Sequence, residues 1–60
     1  MEITKQKRIL GQLEMDLSDI RILLKTTEDE ERQNELRQAY RDLEHKIESQ
    51  AQLIEDLESL

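Results

Sequence analysis

Apolar residues recur along the first part of the chain at Ile3, Leu10, Leu13, Leu17, Ile20 and Leu24. With Gln6 included, the steps alternate between three and four, the spacing of a coiled-coil seam. A second repeat runs through Leu36, Tyr40, Leu43, Ile47, Gln50, Ile54 and Leu57 in steps of four and three. Ile9 and Leu23 widen the first stripe along one flank, and Ala39, Leu53 and Leu60 widen the second. No alternation of period two competes with this pattern and Pro is absent, so both repeats predict helices.

The segment between the repeats, Lys25 to Asn34, holds no apolar residue. Arg21 and Lys25 suit the negative end of a helix dipole, and Glu28, Asp29, Glu30 and Glu31 suit a positive helix start. Thr27 with Glu30 has capping-box spacing, and Thr26 with Asp29 is a variant of it. The pattern predicts helix 1 over about 2–26, a turn over about 27–32 and helix 2 over about 32–59, one helical module spanning 1–60.

The two repeats share no register. Leu24 and Tyr40 both occupy a-type positions but lie sixteen residues apart, two more than two heptads. An unbroken helix would swing its apolar face far round its axis between the halves, an offset that a single stutter or stammer does not produce. Folding back removes the conflict. Layers then match about Glu30: Leu24 with Leu36, Ile20 with Tyr40, Leu17 with Leu43, Leu13 with Ile47, Leu10 with Gln50, Gln6 with Ile54 and Ile3 with Leu57. The expected fold is an all-α antiparallel two-helix hairpin with coiled-coil packing that dimerises into a four-helix bundle. The alternative is a single long helix in a coiled coil. At 1.5 Å per residue these differ in length, about 40–45 Å against about 90 Å.

Charge bears on the choice. Lys5, Lys7 and Arg8 at the start of helix 1, and Glu55, Asp56 and Glu58 at the end of helix 2, each sit where the dipole disfavours them. Antiparallel pairing brings the two clusters together, and it sets Asp16 near Lys46. Asp42 and Lys46 also stand at the i,i+4 spacing of a helical ion pair. On the other flank it sets Glu14 against Glu44 and Arg21 against Arg37, like charges both times. The Gln-containing outer layers oppose an amide to an aliphatic side chain and are expected to be looser.

Two helices cover only a strip of each other, and sixty residues rarely build a sufficient core alone. The surplus flank of Ile9, Leu23, Ala39 and Leu53 is therefore expected to carry self-association, with a symmetric dimer the simplest form. A separate stripe of Gly11, Met15, Ser18 and Ile22 lies away from the seam and is the candidate surface for a different protein partner. A Gly inside a helix costs about 1 kcal/mol relative to Ala, which suggests close approach by another element there. Isolated exposed apolar residues are also common, and that reading treats the stripe as ordinary surface.

Composition narrows the functional classes. Charged residues make up 40% of the chain, the net charge is −6, and Cys is absent. That charge disfavours broad binding to nucleic acid or anionic membrane. The longest apolar run is Ile22-Leu23-Leu24, too short to span a bilayer. With no signal peptide, no membrane span and no Cys, the expected location is the cytoplasm. His45 is the only histidine and could at most pair weakly with Glu48 one turn on. No phosphate loop, zinc motif or EF-hand spacing is present, so no enzyme, metal or cofactor role is expected. Tyr40, the single aromatic, falls on the seam as a packing residue.

The leading expectation is a structural or protein-interaction module that self-associates and docks a protein. Leu57 and Leu60 run to the last residue without a capping signal, as in a segment of a longer coiled-coil protein. One alternative is an effector or adaptor hairpin whose Met15 stripe is read by a signalling protein such as a small GTPase, an analogy of fold. Another is a dimeric RNA-binding bundle. In size and layout, two similar helices with a turn near residue 30, the chain resembles the plasmid copy-control Rop type, with no sequence match beyond layout. That reading would need Lys5, Arg8, Gln12 and Lys25 as the RNA face, which acidic Asp19 interrupts.

Overall fold

A computed structural model describes residues 3–60. It consists of two α-helices, α1 (Ile3–Thr26) and α2 (Glu30–Glu58), packed against each other as a hairpin. The start of helix 1 at residue 2 lies outside the described residues. The hairpin is 47 Å long and 14 by 12 Å across, well short of an unbroken sixty-residue helix at about 90 Å.

The end of α1 follows from its threonines. The Thr26 hydroxyl donates to the Ile22 and Leu23 carbonyls at 3.2 and 3.3 Å, and the Thr27 N–H closes the last turn onto Leu23 O at 2.9 Å. These bonds satisfy acceptors that a helix terminus otherwise leaves open. The turn is short, residues 27–29, and α2 starts at Glu30 rather than near residue 32. Asp29, not Thr27, is the N-cap: its Oδ1 accepts from the Glu31 N–H at 3.2 Å, and its carbonyl accepts from Gln33 N–H at 2.9 Å. Thr27 is half-buried instead, and its carbonyl accepts from Gln33 Nε2, which ties the turn to the first turn of α2 at 2.6 Å. No described residue has a positive φ, so the chain reverses without Gly or Pro.

Packing follows the seam. Leu36, Leu43 and Ile54 are buried, and Ile3, Leu10, Leu13, Leu17, Ile20, Leu24, Tyr40, Ile47 and Leu57 are half-buried. Every buried residue belongs to α2, and α1 contributes only half-buried ones. Two helices wet on both sides of their contact cannot do better.

In the outer layers the two amides do not face aliphatic side chains alone. Gln50 Nε2 donates to Gln6 Oε1 at 2.6 Å and to the Gln6 carbonyl at 3.1 Å. The two amides are one helical turn out of layer, and their length lets them meet diagonally instead of each facing an aliphatic side chain. Ile54, beside them, is the most buried residue described, at 6% exposure. Pairing the amides removes the cost of burying either one alone.

Candidate protein-interaction surfaces

The hairpin has two unlike sides. One carries the charges. Lys7 Nζ lies 3.2 Å from Glu58 Oε2, joining the clusters at the open end of the hairpin. The facing of Arg21 with Arg37 expected further along is not what the side chains make. Arg21 Nη2 donates to the Tyr40 hydroxyl at 3.1 Å, with its guanidinium carbon 6.0 Å from the ring centre. Arg37 turns away along its own helix to Asn34 Oδ1 at 3.4 Å. The hydrogen bond that Arg21 donates to the Tyr40 hydroxyl, then the charge of Tyr40 when ionised and that of the Glu44 carboxylate, raise the Arg21 pKa above its ordinary value; desolvation opposes this in part. The long Arg21 side chain reaches past the residue directly opposite to the next one, Tyr40.

The other side is apolar at both ends. Ile9, Leu23, Ala39 and Leu53 are all exposed there, Leu23 at 47% and Leu53 at 41%. Between the two apolar ends stand Asp16, half-buried, and Lys46, exposed. Among the described residues these two form no ion pair with each other. Asp16 Oδ1 instead accepts from Gln12 Nε2 at 3.1 Å, and Asp42 Oδ1 accepts from Gln38 Nε2 at 3.0 Å, so the Asp42–Lys46 pairing is not made either. A shallow groove opens on this side, lined by Ile9, Leu13, Leu53, Lys46, Ser49, Gln50 and His45.

On the outer face of α1 lies the second stripe. Met15 is 63% exposed and Ile22 58%, with Gly11 and Ser18 exposed on the same face. A Cβ built on Gly11 would meet no atom within 4 Å. Among the described residues none makes the close approach that a helical Gly suggests.

The remaining candidate chemistry is dispersed. Lys5, Arg8, Gln12 and Lys25 are all exposed on α1, with Asp19 exposed among them and Gln12 engaged by Asp16. His45 is exposed at the rim of the groove. Among the described residues no group of three or more His, Cys, Asp or Glu side chains is placed to hold a metal ion. Among the described residues no helix is long and apolar enough to cross a membrane.

Sequence reasoning missed three polar contacts that shape these surfaces: Gln6 with Gln50, Arg21 with Tyr40, and the Asp29 cap. The first had a signal, since two amides on facing seams one turn apart are within reach of each other. No family model, curated protein or solved structure matches this chain.

Proposed function

We propose that this chain is a non-enzymatic protein-interaction module, a helical hairpin that self-associates through its apolar side and offers the outer face of α1 to a protein partner. The observation that carries the reading is surplus surface. A compact 7.2 kDa monomer exposes about 4,100 Å² by the usual scaling with mass. This chain exposes 4892 Å². A rod-like hairpin of 47 by 14 by 12 Å has more surface for its mass than a compact domain, and a partner laid along its side would cover part of that surface. Part of that surface is Ile9, Leu23, Met15, Ile22 and Leu53, apolar residues whose burial is worth about 25 cal/mol per Å².

Sedimentation equilibrium over a wide concentration range tests the self-association. The expected result is a mass rising from 7.2 kDa toward twice that value. A monomer mass throughout would remove self-association from the reading. The partner-docking part is tested by Met15→Glu with Ile22→Glu, which should abolish binding to a protein partner while leaving helicity intact. Partner binding that survives both changes would show this face to be the wrong one. A narrower version, an adaptor read by a signalling protein such as a small GTPase, draws on the same exposed Met15 and Ile22.

A further inference from the structure

The apolar side has an internal order that selects its occupant. Along α1 the positions on this side are Ile9, Asp16 and Leu23, seven residues apart, and along α2 they are Ala39, Lys46 and Leu53. The side therefore reads as three layers: Ile9 with Leu53, then Asp16 with Lys46, then Leu23 with Ala39. A single opposite-charge layer stands between two apolar ones. Within the chain that charge layer is left open, because Asp16 is held by Gln12 and Lys46 borders the groove beside Ile9, Leu13 and Leu53.

We infer that the occupant of this side is a second copy of the chain, laid alongside with its turn at the same end, so that Asp16 of each copy faces Lys46 of the other. The inference rests on the self-association reading and specifies its geometry. A two-fold axis along the hairpin puts α1 of one copy against α2 of the other at matching heights. Ile9 then meets the second copy's Leu53, Leu23 meets its Ala39, and the charges make two symmetric pairs. The competing two-fold axis lies across the hairpin at the Asp16 level and turns the copies head to tail. It sets Asp16 against Asp16 and Lys46 against Lys46, and it brings Leu23 to Ile9. Like charges brought together at an interface cost enough to exclude an arrangement. In the favoured one every neighbouring pair of helices is antiparallel, as in an up-down-up-down bundle. The Met15–Ile22 face stays outside, free for another protein.

Cysteine pairing tests the arrangement directly, since the chain has no Cys of its own. Chains carrying Leu23→Cys and Ala39→Cys, distinguishable by mass, are mixed and oxidised. A disulfide requires Cα atoms within about 7 Å, so cross-linking reports adjacency. The expected result is a mixed disulfide between these two, and none when Leu23→Cys is mixed with Ile9→Cys. The reverse result, at dimer mass, overturns this geometry and leaves self-association standing; a monomer mass at every concentration overturns both. Charge exchange supplies the second measurement on variants that keep the apolar layers intact. Asp16→Lys alone and Lys46→Asp alone should each weaken dimerisation by about tenfold or more, and mixing the two should restore it. Unchanged dimerisation in both single variants places the charge layer outside the interface and overturns the proposal.

Discussion

Ile54 and Leu53 are neighbours in α2, yet the hairpin gives them opposite tasks, and this can be measured. Ile54 is 6% exposed on the seam, and Leu53 is 41% exposed on the apolar side. Ile54→Ala deletes three carbons, each worth about 0.8 kcal/mol when buried, or about 2.5 kcal/mol before any cavity cost. With the cavity, about 3 kcal/mol is expected, inside the observed range for core Ile to Ala changes. A domain of this length has about 3–9 kcal/mol of stability in total, so the variant should lose much of its cooperative unfolding. Leu53→Ala removes atoms that largely face water in one hairpin and should cost under about 1 kcal/mol there. Urea unfolding followed by helical circular dichroism, at dilute and at concentrated protein, separates the two. The Ile54 loss should appear at both concentrations, whereas the Leu53 loss should grow as the dimer forms. If Leu53→Ala costs as much as Ile54→Ala in the dilute monomer, the seam is rotated from the one described and the account of both sides fails.

Three further outcomes follow from the same contacts. Gly11→Ala meets no atom within 4 Å and should stabilise α1 by about 1 kcal/mol, read as a raised urea midpoint; a lowered midpoint would mean that something packs on Gly11 after all. Asp29→Ala removes the N-cap of α2 and should cost about 1 kcal/mol, while Thr27→Ser, which keeps the backbone bonds of the turn, should be close to neutral. Gln50→Leu strands the Gln6 amide and should cost about 1 kcal/mol, but Gln6→Leu with Gln50→Leu should recover it. Equal effects of the single and double changes in that cycle would show that the two amides do not act as a pair.

The hairpin was legible because its evidence is arithmetic. A seam of alternating three and four steps allows one facing partner per layer, and the sixteen-residue offset between Leu24 and Tyr40 leaves no straight helix that can serve both halves. The exposed positions of Ile9, Leu23, Ala39 and Leu53 follow from the same heptad count. The turn was less legible. Thr27 and Asp29 both have capping side chains within reach of the first turn of α2, and spacing alone does not choose between them. The structure gives the cap to Asp29, and the Thr27 carbonyl accepts from the Gln33 side chain. Polar contacts between helices were the least legible part. A layer count assigns each side chain the residue directly opposite, but Gln50 and Arg21 are long enough to reach the next one along. That extra reach turns an expected clash of Arg21 with Arg37 into a hydrogen bond to Tyr40, and two expected weak layers into one amide pair.

One side of the hairpin carries the Lys7–Glu58 ion pair and the Arg21–Tyr40 hydrogen bond, and the other leaves Ile9, Leu23, Ala39 and Leu53 exposed. In the proposed dimer a second hairpin covers that open side. Small-angle X-ray scattering on an absolute intensity scale measures the mass and the longest dimension of the particle in one experiment. A side-by-side dimer has a mass of twice 7.2 kDa in a particle about as long as one hairpin, whose Cα atoms span 47 Å, and that is the expected result. A 7.2 kDa particle at high concentration, or a dimer approaching 90 Å as unbroken helices would give, contradicts it.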